Sequence, residues 1–246
     1  MLLVRLVVTA IAFVVATVDT VVMGGLGTLV WPLAPSGDLT RNLARFWARV
    51  ALAGAFVRVR VEGVEKVPAD AVVVYMANHE SWLDIPALTL AVPGQVRFLA
   101  KKSLFSVPFL GWAMYAMGFI PVDREHRSTA VRSFEAAAER IRAGRSVLLF
   151  PEETRTSDGS LLPFQRGGFL IALKAGLPIA PVGLEGARRC MPKHSYLLRP
   201  GTITVRFGEL VPTAGLGVTA KNRLMEQVRR DIDVLRGGVP AAGEAA

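Results

Sequence analysis

Val72-Val73-Val74-Tyr75-Met76-Ala77-Asn78-His79-Glu80-Ser81-Trp82-Leu83-Asp84 is the stretch on which the fold turns. Its first five residues form a continuous apolar run, the pattern of a central strand buried on both faces. Directly after it come an imidazole and a carboxylate. The imidazole is the side chain best suited to accept a proton near neutral pH. A nearby carboxylate can hold its other ring nitrogen, fix the tautomer and stabilise the imidazolium. On an ideal helix, residues five apart point roughly 140° away from each other. His79 and Asp84 therefore meet only if His79 occupies a strand-to-helix turn and Asp84 the first helical turn. A capping His beside an unrelated surface Asp is the alternative at this spacing. No Gly-x-Ser-x-Gly elbow is present, and the single cysteine, Cys190, lies far along the chain. A base here would act on a hydroxyl brought by the substrate.

Outward from this stretch, strand and helix patterns alternate. Val57-Arg58-Val59-Arg60-Val61 has the period of two of a half-buried strand. Val147 to Phe150, Ile179 to Val182 and Ile203 to Phe207 read as further strands. Ser128 is placed to cap a helix carrying Val131, Phe134, Ala138 and Ile141 at helical spacing, with Gly144 ending it. Thr219 is placed to cap a final amphipathic helix whose Leu224, Val228, Ile232 and Leu235 share one face. The class is α/β, a mixed central sheet flanked by helices, over residues 38–236, with residues 237–246 as a frayed tail.

Residues 1–37 differ in composition. Between Arg5 and Asp38 the only charge is Asp19. A tilted span carrying Asp19 at a cost, a signal peptide without a persuasive cleavage site, and a re-entrant or interfacial helical pair all fit. In the last, Asp19 and Gly24-Gly25-Leu26-Gly27 lie near the bend. Arg41, Arg45, Arg49, Arg58 and Arg60 follow, as suits a segment touching an anionic cytoplasmic leaflet. The reading is a membrane-anchoring segment, with the catalytic domain on the cytoplasmic side of the inner membrane.

The net charge of +9 points to a polyanionic partner. The basic residues are scattered without aromatic interleaving, which favours an anionic membrane over nucleic acid. One cysteine excludes an internal disulfide. No His-Glu-x-x-His and no Cys cluster suggests a metal. Arg124 and Arg155 each follow an apolar run, where an open α/β sheet places its binding loops, and their planar forks suit phosphate oxygens.

Four blocks in order resemble the glycerolipid acyltransferase family, which includes the 1-acylglycerol-3-phosphate acyltransferases. Asn78-His79-Glu80-Ser81-x-x-Asp84 matches the first block, and Gly118-Phe119-Ile120-Pro121-Val122-Asp123-Arg124 is similar to the second. Phe150-Pro151-Glu152-Glu153-Thr154-Arg155-Thr156 looks like the third, and Leu177-Pro178-Ile179-Ala180-Pro181-Val182 fits the fourth. The resemblance implies the acyltransferase fold, His79 as general base and Asp84 as its partner. It also implies acceptor binding by Arg124, Glu152 and Arg155, with Asn78 and Ser81 as further substrate contacts. The implied substrates are a lysophospholipid and an acyl-coenzyme A or acyl carrier protein thioester, with no cofactor and no metal. Lyso-ornithine lipid and glycerol 3-phosphate are alternative acceptors, and a thioesterase using the same dyad on water is the remaining rival. Two details go with this reading. Backbone donors of the Asn78 or Glu152 loops would face the oxyanion, and Phe98 to Gly118 (Phe105, Phe109, Leu110, Trp112, Met114) would line an acyl tunnel. One position departs from the family: Glu153 stands where it usually has Gly, which would permit a positive φ.

Overall fold

The computed structural model describes residues 2–30, 38–123 and 144–237. Its strands are β1 (Val57–Glu62), β2 (Val74–Ala77), β3 (Val96–Lys101), β4 (Ile120–Val122), β5 (Ser146–Leu149), β6 (Ile179–Glu185) and β7 (Gly201–Phe207). The helices among the described residues are α1 (Leu2–Val30), α2 (Asp38–Gly54), α3 (Asp84–Ala91), α4 (Leu110–Ala116), α5 (Arg166–Ala175), α6 (Ala187–Cys190) and α7 (Lys221–Leu235). The strands make one sheet in the order β1-β7-β6-β2-β5-β3-β4. Neighbours run parallel except β6 and β7, which makes the sheet mixed.

The apolar run at 72–76 becomes β2, between β6 and β5, with all four strand residues buried. Its side chains alternate between two cores. Tyr75 and Ala77 join Phe98, Leu148 and Phe207 on one face. Val74 and Met76 join Val147, Phe169, Val228 and Ile232 on the other. Period-two β1 lies at the sheet edge, with Arg58 and Arg60 turned to solvent. The apolar stripe of α7 is buried through Leu224, Val228 and Ile232. Thr219 does not cap it: Thr219 lies in a 3₁₀ turn, Val218–Ala220, and Ala220 is the cap residue. The Ser128 helix and residues 238–246 of the tail lie outside the described residues.

Of the three readings left open for residues 1–37, the structure does not show the helical pair. Leu2–Val30 is one continuous helix, long and apolar enough to cross a bilayer by length and composition. Gly24 does not bend it. A Cβ there would lie 2.8 Å from the Ala113 Cβ, so glycine admits close packing of α1 on α4. Asp19 is buried on the protein-facing side, and the Trp47 indole N–H donates to Thr20 Oγ1 at 3.0 Å, pinning α1 to α2. The outer face shows Leu3, Val7, Ile11, Val14 and Val18. Arg45, expected at the leaflet, turns inward and donates to the Val92 carbonyl at 2.9 Å, beyond the end of α3.

Candidate active site

The chain leaves the sheet at the carboxyl end of β2 and makes a tight turn before α3. His79 sits in that turn and Asp84 opens the helix. His79 Nδ1 lies 2.8 Å from Asp84 Oδ2. The same oxygen accepts the backbone N–H of Glu80 at 2.7 Å and of Ser81 at 2.9 Å. Asp84 is fully buried. With a carboxylate accepting at Nδ1, that nitrogen carries the proton, and the lone pair is on Nε2. The imidazole stacks on Phe150, ring centroids 4.0 Å apart and planes inclined by 13°. The backbone of His79 is held on both sides: its N–H donates to Glu152 Oε1 at 2.8 Å, and its carbonyl accepts Thr156 N–H at 2.9 Å.

Three residues expected to contact substrate are instead built into this scaffold. Both Glu152 oxygens are occupied, Oε1 by His79 N–H and Oε2 by Leu162 N–H at 2.8 Å. Burial pushes the Glu152 carboxyl up to about 7, although these two backbone donors oppose the rise. Asn78 pairs with the backbone of β6, accepting Leu184 N–H at 2.7 Å and donating to the Leu184 carbonyl at 3.0 Å. Ser81 Oγ donates to the Met191 carbonyl at 2.8 Å and accepts Leu83 N–H. All three side chains are buried. The amides of His79, Glu80, Ser81, Glu153 and Thr156 each have an internal acceptor, so none of these five is free to face an oxyanion.

Arg155 is different. Its guanidinium lies over the Trp82 ring, 4.7 Å from the centroid. Its Nη1 is buried without a hydrogen-bond partner among the described residues. Burial pulls its pKa below the ordinary value, an unfavourable state that an incoming anion would relieve. Arg124 lies outside the described residues.

His79, Trp82 and Arg155 line one cavity of about 520 Å³. From there it runs between β3, α3 and α4, and both N-terminal helices form part of its wall, through Ala16 and Gly24 of α1 and Leu43 and Trp47 of α2. Of the aromatic-rich segment expected to line a tunnel, Phe98, Leu110 and Met114 do so. Phe109 and Trp112 instead face outward, and Phe105 packs on Tyr115. The contribution of α1 had no signature in the sequence beyond its apolar character.

Glu153 also lines this cavity. Its φ is 58°, in the left-handed region. That conformation costs a non-glycine residue roughly 1–2 kcal/mol. Glu153→Gly is expected to raise unfolding stability by about 1 kcal/mol, because glycine adopts this φ without the Cβ clash and loses some of that gain to chain entropy. Glu153→Ala is the control, since it deletes the carboxylate but keeps the clash. Urea unfolding of both variants checks this, and a Gly variant no more stable than the Ala variant would contradict it.

The acyltransferase family model matches residues 58–185, more than half of the chain. A chloroplastic 1-acyl-sn-glycerol-3-phosphate acyltransferase of Brassica napus is 37% identical over 165 residues, covering 66% of this chain and 47% of that protein. The chain thus spans about half the length of that curated relative. A 1-acyl-sn-glycerol-3-phosphate acyltransferase of Pseudomonas aeruginosa is 29% identical over 217 residues, covering 86% of this chain and 83% of that one. Among solved structures, the 1-acyl-sn-glycerophosphate acyltransferase PlsC of Thermotoga maritima superposes with a TM-score of 0.81 at 27% identity, over 96% of this chain and 97% of that one.

Proposed function

Because the chain belongs to the acyltransferase family, we propose that it moves a fatty acyl group from a thioester to the free hydroxyl of a lysophospholipid. The acceptor in this reading is 1-acylglycerol 3-phosphate and the product phosphatidic acid, as the names of its relatives suggest. The observation that carries it is the pairing of His79 with Asp84 at 2.8 Å in a mainly apolar cavity that Arg155 also lines, its buried Nη1 without a hydrogen-bond partner among the described residues.

In this reading Nε2 of His79 takes the proton of the acceptor hydroxyl as the oxygen attacks the thioester carbonyl. The tetrahedral intermediate expels the donor's thiolate, and the imidazolium returns the proton to that sulfur. Asp84 stabilises the imidazolium throughout. Arg155 holds the acceptor phosphate, and the apolar cavity takes acyl chain. Acyl-coenzyme A and acyl carrier protein are both consistent donors, and the chemistry calls on no cofactor. The outer face of α1 would rest in the membrane, and the site would face the cytoplasm so that it meets its thioester donor.

The test is an acceptor panel with labelled acyl-coenzyme A and the full chain in detergent. Transfer should be fastest to 1-acylglycerol 3-phosphate, with lyso-ornithine lipid, glycerol 3-phosphate and zwitterionic lysolipids slower. Thioester cleavage at an equal rate without any acceptor would mark a hydrolase instead.

A further inference from the structure

The last turn of α7 lies directly behind the His79 loop, and the fold makes room for it. β6 carries Gly183 at the crossing, where a Cβ would collide with the backbone of Leu235 and Arg236. Arg206 Nη1 locks the same turn from the sheet side, donating to the Leu235 carbonyl at 3.0 Å and to Glu185 at 2.9 Å. What this turn delivers is Arg236. Its Nε donates to Asp233 at 2.7 Å and its Nη1 to the Gly159 carbonyl at 2.6 Å. Nη1 also stands 3.8 Å from Glu80 Oε1. One guanidinium thus touches both segments that bracket His79. Glu80 is its sequence neighbour. The other segment, 156–162, contributes the N–H groups of Thr156, to the His79 carbonyl, and of Leu162, to Glu152.

The charge balance explains why a cation is placed there. Three buried carboxylates converge on the His79 turn: Asp84 on the ring nitrogen, Glu152 on the backbone N–H, and Glu80 as the next residue in the chain. Burial, then the Asp84 charge, pushes the Glu80 carboxyl up, while Arg236 and Arg188 draw it back. Burial likewise raises Glu152, and there too the Arg236 charge opposes the rise.

We propose that Arg236 is a positioning residue for acyl transfer, clamping Glu80 and the 156–162 loop so that the backbone of His79 stays seated between them. The inference rests on the acyl-transfer reading for its kinetic consequence, but not for its structural one. Arg236→Met is expected to lower kcat by roughly 10- to 100-fold, the scale on which displacing a reacting group by about an ångström acts. Acceptor KM should stay within about 3-fold, because Arg236 does not reach the cavity. The acid limb of kcat should move to higher pH, since without the cation Glu80 and Glu152 hold their protons more tightly. Arg236→Lys should restore most of the limb position and part of kcat. Glu80→Gln, which removes the charge the clamp holds, should lower kcat alone, and the double variant Glu80→Gln with Arg236→Lys should lose less than the two singles multiplied. Hydrogen exchange gives a readout that needs no turnover, with faster exchange in residues 79–84 and 156–162 of the Met variant. Unchanged exchange there in a folded Arg236→Met protein overturns the clamp whatever the substrate, as does a loss seen only in KM. If Arg236→Met does not fold, wild-type kcat and pH profile in both Arg236→Lys and Glu80→Gln overturn it equally. Absence of transfer by the wild type overturns the proposed function and leaves the exchange result to decide the clamp.

Discussion

Replacing His79 by alanine is expected to remove nearly all acyl transfer, a loss of roughly 10²- to 10⁴-fold if the imidazole is the general base. The fold should survive, because what anchors this position is backbone. The N–H to Glu152 and the carbonyl to Thr156 remain in the alanine protein; the stacking on Phe150 and the bond to Asp84 are lost, but Asp84 keeps the amides of Glu80 and Ser81. Asp84→Asn is expected to be nearly as severe for a different reason. The Asp84 oxygen accepts three hydrogen bonds, from the imidazole and from two backbone amides. An asparagine oxygen in that place can keep all three bonds, but the amide carries no charge and so cannot stabilise the imidazolium that forms as the acceptor hydroxyl gives up its proton. Asp84→Ala is the poorer test, since it orphans two buried amides at about 1–3 kcal/mol each and confuses stability with chemistry. The measurement is transfer to 1-acylglycerol 3-phosphate at saturating substrates, with circular dichroism to check folding. A His79→Ala protein that keeps more than about a tenth of wild-type activity would sink the assignment.

The dyad was legible because its geometry is local. A five-residue offset across a strand-to-helix turn can be worked out from helix periodicity alone, and the strand before it announces itself as Val72 to Met76. The strands β3 and β4 were not legible. Within Val96-Arg97-Phe98-Leu99-Ala100-Lys101 the buried Arg97 interrupts both the alternating and the continuous apolar pattern. β4 is three residues long, too short for any period to register. α1 was legible as apolar but not as continuous, because Gly24 signals equally a bend and a close helix contact. The inward roles of Asn78, Ser81 and Glu152 were illegible for a general reason. Their partners are backbone groups at residues 79, 83, 162, 184 and 191, and a backbone amide has no letter in the sequence. The resemblance implied acceptor contact for Glu152, whereas in the structure both of its oxygens accept backbone amides.

The inward bonding of Glu152 has a sharp experimental signature, which separates it from Arg155. Arg155→Ala should raise the acceptor KM by roughly 10- to 150-fold, the worth of a charge-assisted contact of about 1.5–3 kcal/mol, with little change for the acyl donor. Arg155→Lys should fall between, because it keeps the charge and loses the planar fork. Glu152→Gln should do the opposite: kcat falls while acceptor KM holds. Glutamine can accept one of the two converging amides and must turn an N–H₂ toward the other, so either His79 or Leu162 loses its acceptor. The pH dependence of stability distinguishes the two further. The Glu152 carboxyl titrates near 7 in the folded protein against an ordinary 4.5. Between those values the folded protein holds a proton that the unfolded chain has released, so this group's contribution to stability is greatest below about 4.5 and is lost as pH rises to about 7. Activity runs the other way, since only the ionised carboxylate accepts both amides. Urea unfolding of wild type and Glu152→Gln between these pH values should show the slope in the former and a weaker one in the latter. Should Glu152→Gln instead raise acceptor KM with kcat intact, its carboxylate faces the acceptor during turnover, and the inward bonds to His79 and Leu162 must open when substrate binds.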